Sequence, residues 1–283
     1  MAINSDFLHQ LDRFGLVINK RITSNFIGQK RSTALGKGLI FKDHRIYAPG
    51  DDLRNLDWKV FARTDDLFIK NYEEERNLAV NIIMDSSASM DFGRDLKKYE
   101  YGGMLALGFA YLSLKGNQKV QFTNFADDIQ VFKPTKGMAL VGNMVRHINA
   151  LQPQGKSEID FTFKKIRHMI GNKTMTIVIS DFLIPIEEIE AGLISLGKQE
   201  LTVVQVLDPV EKKLKLEGEY DLEDSESGLK LKSFVSTRMR NDFQNKLDAH
   251  TNKVKELVEA LGGKFFQFTS DVDVFDAFFE MLR

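Results

Sequence analysis

Asp85, Ser87 and Ser89 stand at alternate positions in the stretch VNIIMDSSASM, residues 80–90. One carboxylate and two hydroxyls are hard oxygen donors. Mg²⁺ takes such donors in near-octahedral geometry, with few carboxylates and several retained waters. Ser and Asp are also the ordinary residues that cap a helix, so the spacing alone leaves a metal centre and a plain cap both open. The residues just before them, Val80 to Met84, are apolar and largely β-branched, the pattern of a short buried strand. That places the polar triplet at a carboxyl end of a strand, the edge where open α/β sheets bind ligands.

Other parts of the chain must hold this loop in place. Residues 174–180, TMTIVIS, predict a second buried strand, and it also ends in a carboxylate, Asp181. A third apolar strand is expected over 201–207 and a last one over 264–268. Between them, residues 96–114, the face Leu140/Met144/Ile148/Leu151, the face Ile159/Phe163/Ile166/Ile170 and the face Ile186/Ile189/Leu193/Leu196 read as helices. Strands alternating with helices imply a mostly parallel sheet covered on both faces. Residues 119–125 and 129–132 flank Ala126-Asp127-Asp128 and predict a hairpin, with the two Asp residues explained by turn chemistry. A polar hairpin insertion is expected over 214–236, on one edge of the sheet. Met239, Phe243, Leu247, His250, Val254, Leu257 and Leu261 predict a long helix ended by Gly262-Gly263, with His250 packed rather than ligating. Ser270 or Asp271 is expected to cap a final helix.

The amino-terminal part differs in character. Residues 1–27 suggest a short amphipathic helix, and residues 30–38 an exposed basic loop. Residues 41–63 interleave Arg45, Asp51, Asp52, Arg54, Asp57, Lys59 and Arg63 with Tyr47, Leu53, Leu56, Trp58 and Phe61. This reads as a charge network that pins the segment onto the following domain, with Trp58 as its apolar anchor.

Composition narrows the function classes. The 283 residues are 43% hydrophobic and 28% charged, with formal net charge −1. No global field attracts nucleic acid. There is no cysteine, which removes disulfides, thiolate metal sites and a Cys nucleophile. No basic start precedes an apolar core at the amino terminus, so no secretory signal is expected. No apolar run approaches the roughly 20 residues that span a bilayer, and a cytoplasmic setting is the expectation. The Gly36-Lys37-Gly38 fragment lacks the Ser/Thr of a phosphate loop. A metal-dependent hydrolase would need a base beside the metal water, yet none of His9, His44, His147, His168 and His250 lies near the loop in sequence. Gly155-Lys156-Ser157-Glu158-Ile159 also lacks the final glycine of a nucleophile elbow.

Asp85-x-Ser87-x-Ser89, Ser157 in a glycine-led loop and Asp181 at a strand end together resemble the metal ion-dependent adhesion site of von Willebrand factor type A domains. That resemblance implies a doubly wound, mostly parallel α/β sheet of the von Willebrand factor type A or Rossmann-like kind. It also implies a metal set of Asp85, Ser87, Ser89, Ser157 and Asp181, with Ser157 in the place usually held by Thr. Residues 45–76, RIYAPGDDLRNLDWKVFARTDDLFIKNYEEER, resemble the signature R-x-Y-x-x-G-D-D-x-R-x-(I/L)-D-W-K-x-x-A-R upstream of the type A domain in the domain-of-unknown-function 58 family. The organisation so implied is an amino-terminal extension, 1–76, docked on a type A-like domain, 77–283, that carries the 214–236 hairpin. Members of that family are bacterial or archaeal and often encoded beside MoxR-type AAA+ ATPases. The resemblance therefore implies a non-enzymatic, Mg²⁺- or Mn²⁺-dependent protein-binding module, an adaptor or assembly factor whose partner is such an ATPase. A hydrolase and a structural domain with a vestigial site are the alternatives.

Overall fold

The computed structural model describes residues 6–15, 40–49, 51–73, 79–169, 174–197, 200–214, 218–223 and 230–283. The loop expected over 30–38 lies outside them. The chain divides into two units, Met1–Gly15 with Leu78–Arg283, and Leu16–Asn77.

The first helix, α1 (residues 6–15), belongs to the larger unit. The sequence reading had grouped residues 1–76 together. The reason for the difference is the apolar stripe Phe7, Leu11 and Phe14, which is buried. Phe7 and Phe14 meet the rings of Phe275, Phe278 and Phe279 near the carboxyl terminus. Asp12 adds polar contacts to Tyr111 and Lys115.

The smaller unit pairs β1 (Ile40–Ile46) antiparallel with β2 (Phe68–Glu73), and α2 (Trp58–Thr64) lies between them in sequence. Asp57 caps α2 by accepting the Lys59 and Val60 amides, and its other oxygen meets His44 Nε2 at 2.8 Å. Arg45 grips Asp51 through two bonds of 2.7 and 2.6 Å, a bidentate pair. The expected charge network therefore exists, and these pairs close within the unit. Trp58 is not its anchor: it is 63% exposed and meets Phe61 edge-on, while Leu56 and Ile69 take the buried places, and a single antiparallel bridge joins Leu56 to Ile69 of β2.

The larger unit continues with β3 (Ala79–Asp85), α3 (Lys98–Lys115), β4 (Lys119–Phe125), β5 (Ile129–Thr135), α4 (Ala139–Ala150), α5 (Ile159–Arg167), β6 (Thr174–Ser180), α6 (Ile186–Leu196) and β7 (Glu200–Leu207). The single turn α7 (Pro209–Lys212), β8 (Gly218–Glu223), β9 (Lys230–Val235), α8 (Thr237–Ala260), β10 (Lys264–Thr269) and α9 (Val274–Met281) follow. Six strands form one sheet in the order β10-β7-β6-β3-β4-β5, parallel except for β5. This is a doubly wound α/β sheet. Its central strands are buried along nearly their whole length, which is why they read as continuous apolar runs rather than alternating ones.

Successive side chains point to opposite faces. Met84 and Ile179 look toward α3, where Gly102 lets the helix approach closely. Ile83, Val178 and Val203 face the opposite core, shared with Phe163 of α5, Leu193 of α6 and Val254 of α8. The hairpin β8–β9 is antiparallel and forms its own two-stranded sheet, not an edge of the main one. The cap of α9 is Asp273 rather than the expected Ser270 or Asp271, because its carboxylate reaches the Phe275 amide.

From β3 the chain runs to β4 on one side, and later returns to β6 on the other. The strand order thus reverses between β3 and β6, and the carboxyl ends of these two strands frame the crevice where such sheets bind ligands.

Candidate functional site

Asp85 ends β3 at that crevice and is fully buried. One of its oxygens accepts the Ser87 amide at 2.8 Å. The other accepts two hydroxyls, Ser157 Oγ and Ser180 Oγ, each at 2.7 Å. These donors are all neutral. Burial first, and then the charge of Asp181, push the Asp85 carboxyl above its ordinary range, and the three hydrogen bonds only partly offset them.

The hydroxyls of Ser87 and Ser89 stand 3.1 Å apart. Two adjacent vertices of an octahedron with bonds of about 2.0–2.1 Å are about 3 Å apart, so these oxygens are spaced as neighbouring ligands of a small hard cation. Ser87 is buried at the start of the 3₁₀ turn Ala88–Asp91, and Ser89 is the more open of the two. Among the described residues, no three His, Cys, Asp or Glu side chains converge to hold an ion. Any cation here would depend on Ser hydroxyls as much as on carboxylate, and their chemistry suits Mg²⁺ or Mn²⁺.

The second loop is stitched to the first. Ala88 donates to the Gly155 carbonyl at 2.9 Å, and the Gln154 amide to the Ser86 carbonyl at 3.0 Å. The Lys156 amide donates to Asp127 at 2.8 Å. Gly155 has φ +81°, and a Cβ there would collide with the Asp127 carboxylate, so only glycine serves. Asp127, read from sequence as a turn residue, also clamps the loop that presents Ser157.

Asp181 follows β6, and its carboxylate takes a different partner. One oxygen accepts the Leu183 amide. The other receives Lys98 Nζ at 2.8 Å, and the same ammonium reaches Glu211 at 2.7 Å. Lys98 has no exposed side-chain surface and Asp181 has 1%. Burial alone would lower the Lys98 pKa, but the two carboxylates outweigh it and the net shift is upward. The next residue, Phe182, is buried with φ +52°, an uncommon and strained backbone for a bulky side chain. His250 of α8 holds its carbonyl at 2.7 Å, and Gln205 donates to the Asp181 carbonyl at 2.9 Å. His250 is thus a structural residue.

The structure therefore brings Asp85, Ser87, Ser89 and Ser157 together by direct contact, and places Asp181 beside them, engaged by Lys98. Sequence reasoning missed Ser180, Lys98 and Glu211. The local signal for Lys98 was a cation in the first turn of a mostly apolar helix, where the helix dipole disfavours it.

The family described as "Protein of unknown function DUF58" matches residues 43–253. The chain belongs to this DUF58 family. Uncharacterized proteins of Mycobacterium bovis and Mycobacterium tuberculosis are 27% identical to it over 265 residues, covering 91% of this chain and 83% of each relative. Among solved structures, an aerotolerance-related membrane protein from Bacteroides fragilis is similar at 17% identity and TM-score 0.47, over 72% of this chain and 96% of that one. The vWF domain of the type V pili tip protein Mfa5 from Porphyromonas gingivalis is similar at 13% identity and TM-score 0.37, over 72% and 94%. The fold assignment of this DUF58 chain rests on its own strand order. Among its described residues, no helix is long and apolar enough to cross a membrane.

Proposed function

We propose that this DUF58 chain is a non-enzymatic protein-binding module whose contact with its partner runs through a divalent cation, Mg²⁺ or Mn²⁺, held by Asp85, Ser87, Ser89 and Ser157. The observation that carries the reading is the Asp85 carboxylate: wholly buried at the switch point of the sheet, and met only by neutral donors. A buried charge without a counter-charge is costly, and a bound cation is the simplest remedy. Asp85 supplies the negative charge. Ser87 and Ser89 would offer hydroxyl oxygens as neutral ligands, Ser157 would add a third while donating to Asp85, and Ser180 steadies the same carboxylate oxygen. When bound, the cation offers an open coordination position to an acidic side chain of the partner. In this reading the partner is a MoxR-type AAA+ ATPase, the setting is cytoplasmic, and the chain adapts or assembles clients of that ATPase without catalysing a reaction itself.

Calorimetric titration with Mg²⁺ and Mn²⁺ tests the centre. Asp85→Ala abolishes binding and leaves the domain folded, because its core is apolar strands and helices. Undiminished affinity in that variant sinks the assignment. Capture of the ATPase tests the role: binding disappears in chelator, returns with Mg²⁺, and weakens in Ser87→Ala, which removes no charge. An ATPase that binds equally well in chelator would show that no metal bridges the two proteins.

A further inference from the structure

Lys98 is unexplained by the site as so far described. It lies in the first turn of α3, the helix end least favourable to a cation. It is wholly buried, so it adds nothing to solubility, and burial opposes its charge. What holds it is a pair of carboxylates 2.8 and 2.7 Å away, on Asp181 and Glu211, with the Phe92 ring centre 6.0 Å from the ammonium. The two carboxylates are unequal. Asp181 adjoins Asp85 across the strand ends and belongs to the oxygen set around the crevice. Glu211 belongs to α7, where its second oxygen accepts the Asp208 amide at 2.8 Å. Lys98 therefore has one carboxylate at the centre and one behind it.

Resting on the metal-dependent reading above, we propose that Lys98 is an internal counter-ion of this centre: its ammonium competes with the divalent cation for Asp181 and keeps that cation weakly and reversibly bound. A lysine suits the task because it is a point charge on a flexible four-carbon stem. It keeps Glu211 as an anchor while Asp181 exchanges between the ammonium and the metal's surroundings. Glu211 is then the residue that draws Lys98 back from Asp181. The two should act on metal affinity with opposite sign.

Mn²⁺ titration of the full chain tests this in wild type, Lys98→Met, Glu211→Gln, Asp181→Asn and the double variant Lys98→Met/Asp181→Asn, with circular dichroism confirming the fold. Lys98→Met is expected to bind about tenfold more tightly or better, the size of a usual coupling within one charge network. Glu211→Gln is expected to bind more weakly, and it keeps the proposal testable should Lys98→Met not fold. The gain from Lys98→Met is expected to vanish in the Asp181→Asn background, because the lysine acts through that carboxylate. Unchanged or weaker binding in Lys98→Met overturns the proposal, as does unchanged or tighter binding in Glu211→Gln. A gain that persists without Asp181 also overturns it, since a distant charge effect would suffice. Wild-type binding alongside any of those results leaves the metal-dependent reading standing. Binding by Lys98→Met but not by wild type supports the counter-ion and removes the metal from the native function. No binding by any chain defeats both.

Discussion

In the metal-free protein, Lys98→Met tests how much the buried ion cluster contributes to stability. Methionine keeps most of the aliphatic stem and deletes the charge, so lost packing is a small term. Asp181, 1% exposed, is left without its cation, whereas Glu211, 19% exposed, keeps water and the Asp208 amide. The cost therefore falls mainly on Asp181. Removing one member of a buried pair costs about 3–5 kcal/mol. At about 2–4 °C per kcal/mol for a domain of this size, the midpoint should fall by about 6–20 °C. A second change separates an unpaired charge from a merely disturbed core: Lys98→Met/Asp181→Asn removes both charges, and Asn can still accept the Leu183 amide. Replacing a whole buried pair is often close to neutral, so the double variant should regain most of the loss. The assay is thermal and urea unfolding in chelator, with equal urea slopes confirming that the same transition is compared. A loss below about 1 kcal/mol, under the range for a broken buried pair, would refute the reasoning. So would a double variant no more stable than the single one.

Asp85→Asn should stabilise the metal-free protein at pH 7.5, by about 0.5–2 kcal/mol as is common when a functional strain is removed, while abolishing metal binding. The sign follows from the raised Asp85 pKa: its contribution to stability is full below the unfolded value near 3.8 and is lost as pH rises through the folded value. The advantage of the variant should therefore shrink on acidification, and urea unfolding at two pH values reads it; a gap that widens toward low pH would contradict it. Gly155→Ala should cost about 1–2 kcal/mol for the left-handed backbone alone, and more through Asp127. Titration should also show weaker Mn²⁺ binding, because the loop presenting Ser157 shifts; unchanged stability and affinity would show that the clamp is slack.

Much of this was legible in the sequence because the central strands are buried on both sides. Val80 to Met84 and Thr174 to Ser180 have no solvent face to blur the signal, and each ends in an abrupt carboxylate. The loop Asp85-Ser86-Ser87-Ala88-Ser89 is local, so its spacing could be read directly. The hairpin around Asp127 was legible for the same reason. Its second task was not, because Asp127 meets Lys156 across 29 positions. Lys98 was harder still, since its partners lie 83 and 113 positions away. The sequence marks residues 96–114 as a helix and singles out neither lysine, and only the third dimension shows that Lys97 faces Asp91 at an exposed site while Lys98 turns inward. Trp58 misled for the opposite reason. A large aromatic in a charged segment suggested an anchor, but Asp57 directs α2 so that its first residue faces outward and Leu56 takes the inner place.

The inward lysine changes the electrostatics by which a partner would be recognised. Asp85 and Asp181 end neighbouring strands, and a dication set against two free carboxylates would be left with no net charge to offer. Asp181 is paired with Lys98 instead. A dication on Asp85 alone, with neutral Ser87, Ser89 and Ser157 around it, keeps one net positive charge at a site of low dielectric, where that charge acts strongly. An incoming carboxylate is then attracted, and a neutral or basic side chain is not. On this argument the lysine weakens the hold on the metal and strengthens the metal's hold on an acidic partner. Affinity for the cation and affinity for the partner should therefore move in opposite directions when Lys98 is replaced by methionine. A module in which both rose together would have to recognise its partner through something other than the charge of the ion.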